Sequence, residues 1–200
     1  MGSQYNKIVK LFFSLSILVF GFLNYGCSPA NILASGGATT MVVAEGDRSL
    51  GTVVDDATIK VNVAAKFIGA GENLFIDINT TVLEGRVLLT GLVDTQENRI
   101  EAVRLVWEVE GVIEVINEIQ IGDREGIKDY ANDLWINTQA KGVAAKTIGL
   151  RAVAYNFETI QGKIYVAGIT TNEKQIEKLI DALKTIKGVK EIVNYIIVKN

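Results

Sequence analysis

The residue types this chain lacks limit its chemistry more than those it has. Among its 200 residues there is no His, so the side chain that most readily moves protons near neutral pH, and the commonest metal ligand, is missing. The single cysteine, Cys27, can form neither an internal disulfide nor a multi-thiolate metal site. Asp55-Asp56 and Asn132-Asp133 are the nearest approach to an acid–base or metal-binding cluster. No third ligand stands near either pair, and both precede helical stretches, where an N-cap is wanted. Gly91 and Gly168 follow strand-like runs but open no phosphate loop. No catalytic set, metal site or cofactor motif emerges, so we expect a protein that is not an enzyme and needs no cofactor. Nucleic acid is a poor partner for an exported acidic chain.

Cys27 instead suggests modification. Lys7 and Lys10 precede an apolar run from Leu11 to Leu23, broken only by Ser14, Ser16 and Gly21. That run is short for a membrane span, which needs about 20 residues, and has the length of a signal-peptide core. Gly26-Cys27 follows at once. We therefore expect residues 1–26 to be a signal peptide and Cys27 to be lipidated, although Asn24 stands where a lipobox usually has Leu. Ordinary secretion with cleavage after Ala30 is the alternative. Ser28 after the cysteine resembles the Gram-negative signal for the outer membrane, which implies a lipid anchor on its periplasmic face. Residues 27–54 are rich in Gly, Ala, Ser and Thr and are expected to form a flexible tether.

From Asp55 onward the chain is a repeat. Shifted by 77 residues, segment 56–121 falls on 133–198 without a gap. Ten pairs are identical: Asp56/Asp133, Ile59/Ile136, Asn79/Asn156, Gly85/Gly162, Gly91/Gly168, Gly111/Gly188, Val112/Val189, Glu114/Glu191, Asn117/Asn194 and Ile119/Ile196. Two modules follow, 55–125 and 126–200. In each, helical spacing predicts a first helix (57–69, 134–147) capped by Asp56 or Asp133. Alternating runs at 75–79 and 153–157 predict a strand. Gly85 and Gly162 mark a hairpin turn, with a return strand ending at Gly91 or Gly168. A second helix (95–110, 172–187) should stop at Gly111 or Gly188 as its C′ residue, before a last strand (113–121, 191–198). The fold class is α+β: two tandem α-β-β-α-β modules, each a three-stranded mixed sheet packed by two helices.

The modules differ in charge. Residues 55–125 carry 14 acidic and 6 basic side chains, net −8, whereas 133–200 carry 6 and 10, net +4. Lys174, Lys178, Lys184, Lys187 and Lys190 are either a solvated helix face or part of a surface for anionic headgroups. Trp135 lies about 100° round the helix from Ile136, beside Thr138, Gln139, Gly142 and Lys146, and its counterpart in the first copy is Thr58. An indole there suits the headgroup level of a bilayer, or else packs between the modules. Trp107, near Val103 and Val106, is expected in a core or inter-module contact.

Gly85-Arg86-Val87-Leu88-Leu89-Thr90-Gly91, followed after a helix by Glu110-Gly111-Val112-Ile113-Glu114-Val115-Ile116-Asn117, resembles a BON domain. Gln161-Gly162-Lys163-Ile164-Tyr165-Val166-Ala167-Gly168, with Lys187-Gly188-Val189 and Ile192-Val193-Asn194, resembles a second. With the signal peptide and Cys27, the chain is similar to dual BON-domain lipoproteins of the bacterial outer membrane. The resemblance implies a partner, an anionic phospholipid membrane, and a role in envelope integrity and at the division site. It attributes lipid contact to the first helix of the second module: Trp135, with Asn132, Asp133, Thr138, Lys141 and Lys146 around it. Ala144 and Ala145 stand where that family carries larger apolar residues. Soluble BON proteins of the osmotic-stress type imply an alternative, a chaperone-like role whose partners are outer-membrane or envelope proteins.

Overall fold

A computed structural model describes residues 50–122 and 126–199; the expected signal peptide, residues 1–26, and Cys27 lie outside the described residues. The first module comprises α1 (Leu50–Ala70), a one-turn helix α2 (Glu72–Asp77), β1 (Ile78–Leu83), β2 (Arg86–Val93), α3 (Gln96–Trp107) and β3 (Glu114–Ile121). The second repeats this with α4 (Gly126–Ile148), a 3-10 turn (Gly149–Ala154), β4 (Asn156–Ile160), β5 (Lys163–Thr170), α5 (Glu173–Leu183) and β6 (Glu191–Val198). In each sheet the middle strand pairs antiparallel with the first and parallel with the last. The two mixed three-stranded sheets with their helices match the α+β expectation.

Each sheet buries one face under its helices. Ile59, Val63 and Phe67 on α1 and Ala102, Leu105 and Val106 on α3 close over Val87 and Leu89 of β2. Ile136, Ala140 and Ala144 on α4 and Leu179 and Leu183 on α5 do the same over Ile164 and Val166. Burying side chains of this size contributes about 1.5–3 kcal/mol for each larger aliphatic. The opposite sheet faces meet in a third cluster, where Leu83 and Leu88 pack with Ala167 and Ile169, flanked by Ile116, Tyr195 and Ile197. There β1 lies against β5 and β2 against β4, the reciprocal pairing a local two-fold relation requires. Tyr195 Oη donates to the Glu118 carboxylate, and those two residues are equivalent positions of the repeat. Gln120 Nε2 donates to Tyr165 Oη at 3.0 Å, and Lys199 pairs with Glu84.

Most of the repeated identities now have a structural role. The hairpin of each module turns through two residues of positive φ, Glu84 (53°) with Gly85 (74°) and Gln161 (51°) with Gly162 (80°). A tight two-residue hairpin turn requires that geometry. Asn117 Oδ1 accepts from the Ile119 amide at 3.1 Å, and Asn194 Oδ1 from the Ile196 amide at 2.9 Å. Arg86–Glu114 (3.2 Å) and Lys163–Glu191 (2.8 Å) bridge the parallel strands at equivalent places.

Four local expectations are corrected. First, α1 and α4 begin at Leu50 and Gly126, well before Asp56 and Asp133, so these are not N-caps. Their carboxylates instead cross to the hairpin turn. Asp56 accepts from the Glu84 and Gly85 amides (2.8 and 2.9 Å), and Asp133 from the Gln161 and Gly162 amides (2.6 and 2.8 Å). Second, the first strands start three residues later than their alternation suggested. Leu74 and Ile78 are the buried pair, four apart as on a helix, while Phe75 and Ile76 point outward. Third, β2 and β5 run on past Gly91 and Gly168. A Cβ on Gly91 would stand 2.1 Å from the Asp77 carbonyl oxygen. Fourth, α3 and α5 end at Trp107 and Leu183, so Gly111 and Gly188 are not their C′ residues. They pack instead on Ile59 and Ile136, 3.2 and 3.3 Å from where their Cβ would be.

Candidate functional site

The candidate surface is the outer side of α4, positioned by what the helix buries. Ile136, Ala140 and Ala144 are fully buried, with Val143 and Thr147 at the margin of the same stripe. This leaves Trp135 pointing away, 47% exposed, with Leu134 56% and Tyr130 61% exposed. Trp135 takes no part in the cluster between the sheets. At 3.6 residues per turn, Trp135, Thr138, Gly142 and Lys146 follow one another along one outward strip, and the last three are exposed too.

The six residues singled out from the sequence therefore divide. Asn132, Trp135, Thr138, Lys141 and Lys146 are exposed. Thr138 Oγ1 donates back to the Leu134 carbonyl at 2.8 Å, which commits its proton to the helix. Asp133 is half-buried and its carboxylate holds the hairpin turn. Lys141 lines a cavity of about 300 Å³ between the modules, together with Lys60, Tyr155 and Glu158. Ala144 is core, so its small size bears on packing beneath α4 and not on any outward contact, whereas Ala145 is exposed.

Tyr130 and Leu134 were missed. They stand four apart, and their equivalents in the first module are Val53 and Ala57. That enlargement of two outward positions was the available signal. Trp107 also departs from expectation: it is 54% exposed, with Ile100 58% exposed one side of α3 away from the core. Ala102, Leu105 and Val106 fill the core side of that helix, which leaves the indole outside.

Electrostatically the two helical layers differ. On the first module, Lys66 pairs with Glu108, and Arg104 with both Glu101 and Glu108. Hydrogen bonds from Arg104 and from Lys66 hold the Glu101 and Glu108 carboxyls below their ordinary values. On the second, Lys174, Lys178, Lys184, Lys187 and Lys190 are all exposed, and Lys184, just past the end of α5, pairs with Asp181 in its last turn. Between the modules, burial pushes the Tyr195 and Tyr165 hydroxyls up. Burial likewise raises Glu158, against the opposing hydrogen bond from Asn79. Among the described residues no helix is long and apolar enough to cross a membrane.

Residues 55–123 and 132–200 each match the BON domain. The chain belongs to the BON-domain family. The chain is 29% identical to the outer membrane lipoprotein DolP of Haemophilus influenzae over 84% of its own length and 86% of that protein. It is 29% identical to the osmotically-inducible protein Y of Escherichia coli, over 72% and 73% of the two chains. A protein from the gshII 5′ region of Anaplasma centrale is 35% identical over 74% of this chain and 97% of its own.

Proposed function

We propose that this BON protein is a lipid-anchored component of the bacterial envelope that binds anionic phospholipid through the outer edge of α4. The outer membrane is the compartment its similarity to an outer membrane lipoprotein suggests, with support of envelope integrity and division as the roles served. One observation carries the reading: Trp135 is 47% exposed beside Leu134 at 56%, while the adjacent Ile136 is fully buried. Exposed apolar side chains are common on soluble folds, Trp107 at 54% among them, so the weight lies on an indole standing out from the module of net +4. At a bilayer surface the same groups enter the headgroup layer, ring inward and N–H toward water. Lys146 on the same strip, and the net +4 of the module, add attraction to an anionic leaflet. The acyl group on Cys27 would supply the lasting anchor and α4 the choice of lipid.

Vesicle co-sedimentation of the non-acylated protein tests this. Binding should require anionic lipid and weaken as salt rises, and Trp135→Glu should lower it at least about tenfold, since each 1.4 kcal/mol is one decade. Binding that ignores lipid charge and survives Trp135→Glu would sink the reading. Lipid-independent capture of an envelope protein would then favour the chaperone-like role.

A further inference from the structure

The duplication supplies its own control for the outer helical faces. Because the two sheets meet back to back, α3 and α5 lie on opposite outer sides of the molecule. They are equivalent helices of the repeat. At its 77-residue offset, each of the five lysines between 174 and 190 stands where the first module has a glutamate or an exposed apolar side chain. Lys174 answers to Glu97, Lys178 to Glu101, Lys184 to Trp107, Lys187 to Glu110 and Lys190 to Ile113. Trp107 and Ile113 are 54% and 66% exposed, and Ile100, two turns before Trp107 on the same side of α3, is 58% exposed. The fold accepts lysine at all five places, so packing does not dictate the difference. Residues 96–110 carry four glutamates against two arginines, and residues 173–190 carry five lysines against three acidic side chains.

Some of these charges are already engaged. Arg104 and Lys66 hold Glu101 and Glu108, and Lys184 holds Asp181. Among the described residues, Glu97 and Glu110 on one face, and Lys174, Lys178 and Lys187 on the other, are exposed and stand outside those pairs. We propose that the α3 face binds the α5 face of a second copy of this chain, head to tail. Matched positions have matched separations, so Glu97 and Glu110 can meet Lys174 and Lys187 together. The Trp107 ring offers the neighbour's lysines a cation–π face, and lysine stems lie along Ile100 and Ile113 while their ammonium groups stay in water. A second copy is the partner because the chain carries both halves of this complement, at positions the duplication has matched. The two faces point to opposite sides, so the contact is heterologous and each new copy leaves a free face at either end. It is assigned to α3 and α5 and rests neither on Trp135 nor on lipid.

Sedimentation velocity of the non-acylated protein over a range of concentrations tests this. Association should continue beyond a dimer. It should weaken at least about tenfold as salt rises from roughly 0.01 M to physiological strength, because screening shortens from about 30 Å to about 8 Å. Glu97→Lys with Glu110→Lys makes both faces basic, and Lys174→Glu with Lys187→Glu makes both acidic. Each double variant alone should stay monomeric, with a thermal midpoint that shows it folded. An equimolar mixture of the two should associate again, since each then carries the other's complement. Trp107→Ala should weaken the parent's association several-fold. A parent that is monomeric at every concentration in low salt, association that strengthens with salt, or folded variants that fail to restore each other overturns the proposal. A closed dimer that survives Lys174→Glu with Lys187→Glu overturns it too, because α3 faces would then be pairing with each other. Trp135→Glu should lower vesicle binding and spare association. Loss of association in that variant would move the contact to α4 and sink the assignment to α5.

Discussion

At the residue scale, Asp56 and Asp133 do the same work: a carboxylate on the first helix accepts both amides of the hairpin turn. Hydrogen bonds to a charged acceptor contribute about 1.5–3 kcal/mol each, and truncation leaves two amides to find other partners. Asp56, 4% exposed, should therefore be costly to lose. We expect Asp56→Ala to destabilise by about 3 kcal/mol, seen in urea as a lower midpoint at unchanged slope. The exposed neighbour serves as control, with Asp55→Ala within about 0.5 kcal/mol of the parent. Glu158 makes the opposite kind of prediction. Burial raises its pKa above the ordinary 4.5, so the native state holds its proton more tightly than the unfolded chain does. The stability from that proton is complete below the unfolded value and is lost as pH rises through the native one. Glu158→Gln should remove this pH dependence: urea midpoints of variant and parent should converge in acid and diverge in the variant's favour toward neutral pH.

At the element scale, the order of helices and strands was legible because each carries its own signal. On α5, Ile176, Leu179 and Leu183 recur at helical spacing and are buried, and the hairpin glycines sit where the turn needs positive φ. Element boundaries were not legible, because they depend on partners far along the chain. An aspartate ahead of a helical run looks like a cap until the hairpin 28 residues away is folded against it. Alternation at 75–79 looks like a strand until Leu74 and Ile78 turn inward together. The candidate site was half legible for the same reason: an unusual indole shows in the sequence, whereas the engagement of Asp133 with its turn does not. The passage of β2 beneath α2 gives a sharp test. Gly91 has φ +149°, and an added Cβ would meet backbone at 2.1 Å, whereas at Gly168 it would meet the Tyr155 ring at 2.6 Å. A backbone carbonyl cannot swing aside as a ring can. Gly91→Ala should cost more than about 3 kcal/mol and Gly168→Ala about 1–3 kcal/mol, compared by thermal unfolding.

Across the whole molecule, a duplicated sequence has become an unequal pair. The sheet backs still meet through equivalent positions, Glu118 and Tyr195 among them, so the duplication persists in the packing. Charge has diverged on the outside, to net −8 and net +4. On the lipid reading these halves oppose each other as the molecule nears an anionic surface: the second module is attracted and the first repelled. Repulsion from the first acts at a distance, so it should be strong only when the screening length is long, about 30 Å at 0.01 M salt against about 8 Å at physiological strength. Asp94, Glu97 and Glu110 are exposed on the first module and are not the carboxylates that pair with Lys66 and Arg104. The triple variant Asp94→Asn, Glu97→Gln, Glu110→Gln should bind anionic vesicles more tightly than the parent in low salt and equally in high salt. Lys146→Gln should do the reverse, weakening binding by up to about 1 kcal/mol in low salt. If the acidic variant tightened binding by the same factor at every salt concentration, the effect would be a contact rather than a field, and the first module would itself be touching lipid.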